Sequence, residues 1–384
     1  MKNFLIGIIL LVIFSCSSNP KITTKTGLEE LLIEKPKINY KLNSLPKAIN
    51  VIYFSDPKTQ NIFPDEVKGF LTNYYSFSKK NKYFPDIKFI DLNKENLCSL
   101  ILNRDAFYFI FLFKNSLEIK PLDLCLGKFN SRNVLLSSNF DYQSNFNNLR
   151  KFIVSRSEDK LALIQLMNSY SNSIMVIDNE VTKDKFEIGE IWLNKFNKEV
   201  AEYKTFDKKE SSQDIYAKLL LLNQSLKRKR KLSRIISEDL KHTSRTRQDI
   251  DALFLSVNTQ EARSLKPALD YIYFEDMKVF LVNDWGTDFN FLKADKDLEG
   301  VISIDIPFIL PSPLPDDLKV LHYKTRDFAI GYDAFEIALL LEGGRDLTRA
   351  TYKGLTGKIT FKDQYISRKS IIFKINNGIF EYLN

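Results

Sequence analysis

Short apolar segments alternate with amphipathic segments along most of this chain. Runs rich in β-branched and aromatic residues predict strands, and several are apolar throughout, which is typical of strands buried on both faces of a parallel sheet. The predicted strands cover residues 48–54, 87–91, 106–113, 133–138, 151–155, 173–178, 200–206, 249–257 and 277–282.

Between these strands, apolar residues recur at helical spacing. Val67, Phe70, Leu71 and Tyr74 fall on one face of a helix that opens at Pro64. The other predicted helices are one around Leu97, Leu100 and Ile101, one from a capping box of Ser155 and Glu158 to Tyr170, one that buries Phe186, Leu193 and Phe196, one near 212–224, and one capped by Asn258 and Glu261 that reaches about Tyr271.

The last part of the chain has a different order of elements. It contains a predicted strand at 300–308, a helix at 332–343 and terminal strands near 357–362, 370–375 and 379–383.

The alternation predicts an α/β fold with two mainly parallel sheets, each flanked by helices. A chain that builds one lobe, crosses to a second and returns is typical of a two-lobed, type I periplasmic-binding-protein-like fold, with its cleft at the carboxyl ends of the strands. We expect this bilobal module over 46–384, with lobe 1 at about 46–150 and 284–345, and lobe 2 at about 151–283 and 346–384.

The N-terminus has the layout of a secretory signal. One lysine, Lys2, precedes an apolar run from Phe4 to Phe14, and the string that ends at Ser15 and Cys16 looks like a bacterial lipobox. We therefore expect a signal peptide at 1–15 and lipidation at Cys16; the alternative is an uncleaved N-terminal anchor.

Residues 16–45 are polar and rich in lysine, which predicts a lipidated N-terminus followed by a flexible tether. Ser17, and no aspartate, follows the cysteine, which favours the outer membrane over the inner one. We expect a protein held by its lipid on the periplasmic face of the outer membrane.

The formal net charge is +8, and 44% of the residues are hydrophobic. For a secreted chain this charge favours anionic lipid head groups or an acidic protein as partners, rather than nucleic acid. Cys98 and Cys125 could form a disulfide in an oxidising compartment, or could remain two buried thiols. With two histidines, no HExxH and no CxxC, the sequence predicts neither a zinc site nor any cofactor.

Two charged stretches are candidate functional features. Asp249 and Asp251 are spaced for a metal, but they stand at the amino end of a strand, so we expect them to bond Arg245, Arg247 or a neighbouring helix end. The basic run is either a solvated helix face or a docking patch for an acidic partner, and a lipid or nucleic-acid patch is also conceivable. Its members are Lys227, Arg228, Lys229, Arg230 and Lys231.

Several strings taken together resemble the LppC/LpoA family of penicillin-binding-protein activator lipoproteins. In order they are SRSEDKLAL from 155, QSLKRKRKLSRII from 224, RTRQDIDALFL from 245, QEARSLKPALDY from 260, MKVFLVNDW from 277, DLEGVISIDIPFIL from 297, AIGYDAFEIALLL from 329, and GLTGKITFKDQYISRKSIIFKINNG from 354. The resemblance covers about 150–384 well and 46–150 weakly.

The resemblance implies an outer-membrane lipoprotein that is not an enzyme. Such a protein docks on a bifunctional peptidoglycan synthase and stimulates cell-wall crosslinking. Members of the family also carry an N-terminal helical-repeat domain, which we expect this chain to lack. The competing hypothesis is a solute-binding lipoprotein that captures a small polar ligand, such as an amino acid or a wall fragment. That function requires convergent polar groups in the cleft, whereas an activator requires an external patch. No ligand-binding residue is predicted.

Overall fold

The computed structural model describes residues 45–55, 62–99, 106–113, 125, 133–140, 149–243, 245–272, 277–283, 285, 296–310, 314, 318–319, 324–342, 350–362 and 365–383. The predicted signal peptide, Cys16 and the tether up to residue 44 lie outside this part of the chain.

The fold alternates strands and helices, as the apolar pattern predicts. The strands are β1 (Ala48–Tyr53), β2 (Asp86–Asp91), β3 (Ala106–Leu112), β4 (Val134–Ser138), β5 (Arg150–Ile153), β6 (Ile174–Asp178), β7 (Val200–Thr205), β8 (Ala252–Ser256), β9 (Lys278–Leu281), β10 (Ile302–Asp305), β11 (Thr351–Gly354), β12 (Gly357–Lys362), β13 (Tyr365–Lys369), β14 (Ile371–Asn376) and β15 (Ile379–Leu383).

The helices lie between these strands. They are α1 (Asp65–Asn81), α2 (Arg156–Tyr170), α3 (Lys185–Phe196), α4 (Ser212–Leu219), α5 (Leu222–Ile236), α6 (Thr259–Ile272) and α7 (Arg326–Glu342), with short 3-10 turns at Leu97–Ser99 and Lys296–Leu298. No described helix is long and apolar enough to cross a membrane.

Two mixed, mainly parallel sheets form the centres of two lobes. The first sheet has the order β11-β12-β13-β5-β4-β3-β1-β2, and the second has the order β15-β14-β10-β9-β8-β6-β7. Among the described residues, antiparallel pairs lie toward one edge of each sheet, where β11 to β13 and β14 to β15 are added. The predicted α/β class and two-lobed architecture are confirmed.

The expected limits of the lobes are wrong at three places. Strand β5 pairs with β4 and belongs to the first sheet, whereas β10 pairs with β9 and belongs to the second. Strands β11 to β13 join the first sheet through the pairing of β13 with β5. The chain therefore crosses between the lobes after β5, after β10 and after β13. The order of strands along a sequence does not specify such crossings.

Helices α1 and α7 pack unusually closely against each other on the first sheet. A Cβ atom at Gly331 would overlap the carbonyl oxygen of Glu66, and one at Gly69 would overlap the carbonyl oxygen of Phe328. Glycine removes the side chains that would hold the two backbones apart. The contact buries an aromatic cluster in which the ring of Phe70 meets that of Phe335 at 5.4 Å.

Three local predictions have different outcomes. Asn258 and Glu261 form the predicted cap, since Glu261 N donates to Asn258 Oδ1 at 2.9 Å and Asn258 N donates to Glu261 Oε2 at 3.1 Å. The capping box at Ser155 is wrong, because its side chain makes no cap hydrogen bond. The helix predicted around Leu97 is a 3-10 turn as far as the structure describes it, and a disulfide there joins Cys98 to Cys125 with a Cα–Cα distance of 4.8 Å.

Candidate functional site

Four charged residues, three of them buried and the fourth with a side chain that is 10% exposed, meet where the chain crosses between the lobes. Two carboxylates come from the second lobe: Asp159 on the first turn of α2 and Asp305 at the end of β10. Two guanidinium groups come from the first lobe: Arg326 at the start of α7 and Arg368 on β13. We call these four residues the crossing cluster.

Arg326 is the centre of the crossing cluster. Its Nη2 lies 2.9 Å from Asp159 Oδ2 and 2.6 Å from Asp305 Oδ1, and its Nε donates to Asp305 Oδ1 at 3.0 Å. Arg368 Nη2 lies 3.0 Å from Asp159 Oδ1 and donates to the carbonyl oxygen of Ser155, also at 3.0 Å. Each charge is paired with a charge from the other lobe, so the cluster ties the lobes together.

The two carboxylates of the cluster differ in their electrostatics. Burial favours the neutral form of Asp159, but the guanidinium groups of Arg368 and Arg326 outweigh it and hold the pKa of that carboxyl well below its usual range. Burial prevails at Asp305, where Arg326 opposes it, and raises the pKa of that carboxyl. Asp159 therefore carries its charge at neutral pH.

The carboxyl edge of the second sheet is polar. Asn179, which follows β6, donates from Nδ2 to Glu261 Oε2 at 2.8 Å. Ser256, at the end of β8, donates from Oγ to Asp184 Oδ2 at 2.5 Å. Lys160 Nζ lies 3.0 Å from Asp184 Oδ1, which extends the network to α2. These side chains bond one another, which limits what they can offer to a small polar ligand.

A second polar group lies at the carboxyl edge of the first sheet. Ser55 donates to Asp91 from its Oγ at 2.7 Å and from its backbone N at 3.1 Å. Burial would raise the pKa of Asp91, but the hydrogen bonds from Ser55 and Asn93 prevail and lower it. This carboxylate closes the turn after β2, so its role is structural.

An exposed apolar patch covers the outer edge of the second sheet. Phe186 and Leu193 on α3 are 68% and 48% exposed, and Tyr203 on the edge strand β7 is 40% exposed. The rings of Phe186 and Tyr203 lie 6.3 Å apart, and the phenol rests against Gly189, where a Cβ would overlap it. We call these residues the α3–β7 patch.

The α3–β7 patch corrects a sequence prediction. Phe186 and Leu193 were expected to be buried, but the face of α3 that meets the sheet carries Ile188 and Trp192, both fully buried. Both sets recur at helical spacing, so periodicity alone could not choose between them. Tyr203, on an outward-facing position of β7, also had no sequence signal of its own.

The spaced aspartate pair has the expected structural role. Arg247 forms a bidentate pair with Asp249, at 2.7 Å from Nε to Oδ1 and 2.5 Å from Nη2 to Oδ2. Asp251 Oδ2 accepts hydrogen bonds from the backbone N atoms of Asn172 and Ser173 at 2.8 and 3.1 Å. The two carboxylates therefore have separate partners. Within the described residues, no group of three histidine, cysteine or acidic side chains could hold a metal ion.

The predicted docking patch lies on helix α5 of the second lobe. Lys227 to Lys231 fall within one continuous helix, none of whose residues is buried. The predicted helix near 212–224 is divided in two, since it ends at Leu219 and a left-handed Leu221 starts α5.

Sequence analysis did not identify the crossing cluster. Its members are separated by up to 209 positions, and pairing over such a distance leaves no local pattern. The one available signal was indirect: Asp159, Asp305 and Arg368 lie inside the strings that carry the family resemblance.

Comparisons with known proteins place the chain in a family. The family model described as "LppC putative lipoprotein" matches residues 182–378. Penicillin-binding protein activator LpoA of Vibrio vulnificus (strain YJ016) is 23% identical over 180 residues, which cover 45% of this chain and 30% of that protein. The chain thus matches less than a third of the length of this relative.

Solved structures share the fold. The C-domain of LpoA (YraM) from Haemophilus influenzae, described as a regulator of PBP1A, aligns with a TM-score of 0.60 at 12% identity, over 88% of this chain and 100% of that one. A "putative branched-chain amino acid ABC transporter" from Rhodospirillum rubrum aligns with a TM-score of 0.59 at 12% identity, over 88% of this chain and 100% of that one. At these identities the likeness concerns the fold alone.

Proposed function

Because the chain belongs to the LppC lipoprotein family, we propose that it activates a bifunctional penicillin-binding protein by direct contact and catalyses no reaction itself. Its activity would support the crosslinking of the cell wall. Relatives that carry the name of penicillin-binding protein activator support this proposal at the level of the family.

The structural observation that carries the proposal is the α3–β7 patch. Exposed aromatic and aliphatic side chains on one surface, with the rings of Phe186 and Tyr203 side by side, are typical of protein interfaces, in which aromatic residues are enriched. The patch lies on an edge strand, within the range matched by the family model. We assign it as the contact surface for the synthase.

The carboxyl edges of the sheets favour activation over capture of a solute. A solute clamp requires polar groups that converge on a ligand and lobes that close around it. Here the polar groups of the second sheet bond one another, as in the pair of Asn179 and Glu261, and the crossing cluster joins the lobes. Both features favour a body of fixed shape.

An activator of fixed shape would act by shifting the populations of the active and inactive conformations of the synthase. A ligand shifts a conformational equilibrium only by the difference between its affinities for the two states, typically about 1–3 kcal/mol. Contact with the α3–β7 patch would favour the active conformation of the synthase. This corresponds to a shift of the equilibrium constant between the two conformations on the order of 5- to 150-fold.

We also propose that a lipid on Cys16 holds the protein at the outer membrane, with the tether 16–45 between lipid and module. This part of the proposal rests on the lipobox-like string and on the family description as a lipoprotein. Mass spectrometry of the mature protein, before and after removal of ester-linked acyl chains, tests it directly. A mature chain that retains residues 1–15 would contradict it.

The decisive experiment measures crosslinking by a purified bifunctional synthase with and without the full chain. We expect the chain to bind the synthase in a pull-down and to stimulate its transpeptidase activity. The variant Phe186→Ser with Leu193→Ser should lose both effects. The matched control replaces Phe84 and Tyr271 with serine, since both are exposed, at 73% and 80%, and lie outside the patch.

Three results would contradict the proposal. The chain could fail to bind or stimulate the synthase, or the control variant could lose as much stimulation as the patch variant. A thermal shift with an amino acid, in the absence of any stimulation, would instead support a solute-binding lipoprotein.

A further inference from the structure

Helix α5 is attached to the second lobe mainly through its first turn. Leu222 packs against the core of the lobe, but no residue of α5 is buried. The helix contains six cationic side chains and no acidic one, so its surface potential is positive and attracts anions. The cations are Lys227, Arg228, Lys229, Arg230, Lys231 and Arg234.

The segment that follows α5 covers one narrow stripe of the helix. Lys229 Nζ lies 3.2 Å from Asp239 Oδ1, and the backbone N of Leu240 donates to Ser233 Oγ at 3.4 Å. Ser225 Oγ lies 3.2 Å from His242 Nε2 of the same segment. Ser225, Lys229 and Ser233 are spaced at i, i+4 and i+8, so they share one face. The returning segment thus accounts for that face and for one of the six cations.

Four aliphatic side chains of α5 are exposed: Leu226, which is 38% exposed, and a group of three in the last two turns, beside the covered stripe. Leu232, Ile235 and Ile236 are 49%, 69% and 50% exposed, and their spacing places them on one side of the helix. The uncovered cations occupy the neighbouring and opposite positions. The free surface of α5 is therefore an aliphatic strip next to a cationic face.

We propose that α5 binds the anionic surface of a phospholipid bilayer. Helices with a charged face, an aliphatic face and low net hydrophobicity lie in the plane of a membrane interface. Lysine and arginine would bind the lipid phosphates, while Leu232, Ile235 and Ile236 enter the boundary with the acyl chains. The proposal is independent of the proposed activation of a synthase.

The composition of α5 favours lipid over a protein or a nucleic acid. Protein interfaces are enriched in aromatic residues and depleted of lysine, whereas α5 has three lysines and no aromatic residue. Binding to nucleic-acid phosphates would use the cations and leave the aliphatic strip exposed. A bilayer interface uses both faces of the helix at once.

The test follows the environment of α5 in the full chain. Cys16→Ser removes the predicted site of lipidation, and Ile235→Cys then carries a fluorophore that is sensitive to polarity. The matched probe is Tyr271→Cys, at an exposed position of α6. Vesicles of equal parts phosphatidylcholine and phosphatidylglycerol are compared with vesicles of phosphatidylcholine alone.

A second pair of variants isolates the charge. One replaces Lys227, Arg230, Lys231 and Arg234 with glutamine, which keeps the pair of Lys229 and Asp239. The control replaces four exposed lysines elsewhere with glutamine: Lys79, Lys80, Lys208 and Lys209. Circular dichroism checks that each variant is folded.

We expect a blue shift at position 235 with the anionic vesicles, and no shift at position 271 or with phosphatidylcholine alone. The α5 charge variant should bind the anionic vesicles at least about a hundredfold more weakly, while the control loses much less. Absence of the blue shift, an equal shift with neutral vesicles, or an equal loss of affinity in the control would overturn the proposal. Loss of binding to a purified synthase without any vesicle shift would assign α5 to an acidic protein instead.

Discussion

Removal of Arg326 from the crossing cluster should destabilise both lobes together. In the variant Arg326→Met, Asp159 keeps its pair with Arg368, whereas Asp305 loses every interaction with a cation of the cluster. Asp305 is fully buried and retains the hydrogen bond from the backbone N of Ile306 at 2.7 Å. The variant therefore leaves a fully buried carboxyl group with one backbone hydrogen bond and the charge of Arg156 as its remaining compensation.

The expected loss in the free energy of unfolding follows from the burial of the pair of Arg326 and Asp305. The side chain of Arg326 is 10% exposed and that of Asp305 is 0% exposed, so solvent screens their interaction little. Loss of one partner from a buried ion pair costs about 3–5 kcal/mol. Protonation of Asp305 would relieve part of this cost, so we expect a loss of about 3 kcal/mol in the free energy of unfolding.

Denaturation by guanidinium chloride, followed by near-ultraviolet circular dichroism, measures this loss. The control is Lys94→Met, because Lys94 Nζ lies 3.7 Å from Asp91 on a side chain that is 75% exposed. An exposed pair of this kind contributes at most about 1 kcal/mol. A difference between the two variants therefore reports burial rather than the loss of a positive charge.

A double variant separates charge from packing. Arg326→Met combined with Asp305→Asn removes one positive and one negative group, so the cluster is neutral again. We expect it to recover at least half of the stability that the single variant loses. A single variant within about 1 kcal/mol of the native protein, or a double variant no more stable than the single one, would refute the assigned role of the cluster.

Three further predictions concern the first lobe. Gly331→Ala should lower the free energy of unfolding by about 1–3 kcal/mol or more, measured by chemical denaturation, because its methyl group would overlap the backbone of Glu66. Burial raises the pKa of Glu66 to about 8, so its charged form costs stability as pH rises from about 4.5 to about 8. The variant Glu66→Gln should therefore become more stable relative to the native protein as pH rises over that range, measured by thermal unfolding. A difference in unfolding temperature between the two proteins that does not change with pH would contradict this prediction. Replacement of Cys98 and Cys125 by serine opens a loop with a sequence separation of 27 and should lower the free energy of unfolding by about 3–4 kcal/mol. If a reducing agent leaves the unfolding of the native protein unchanged, this prediction is contradicted.

Much of the fold could be predicted because its central strands are apolar throughout. Residues 106–112 and 252–256 are buried along their whole length, and short apolar runs of this length favour strands of a parallel sheet. Strands β11 and β13 were missed because TYKG and YISRK mix polar and apolar residues in short segments. Their position in a sheet is set by tertiary pairing, which local propensity does not determine.

The candidate sites could be predicted only where a local pattern exists. The basic run on α5 is contiguous in the sequence and so could be identified there, whereas its place in a helix comes from the structure. The crossing cluster depends on three passages of the chain between lobes, and the α3–β7 patch depends on which face of α3 meets the sheet. Trp192 and Ile188 decide that face by filling the core, which is a property of packing rather than of sequence order.

The passages of the chain between the lobes also constrain the order in which the protein can fold. The first sheet receives β11 to β13 and the second receives β14 and β15, all from residues 351–383. Helix α7, which covers the aromatic cluster of the first sheet, ends only at residue 342. Neither lobe can be completed while this region is still being synthesised or exported, so the two lobes mature together and late. A truncation near residue 350 would therefore injure both lobes at once, whereas in a protein with consecutive domains it would spare the first.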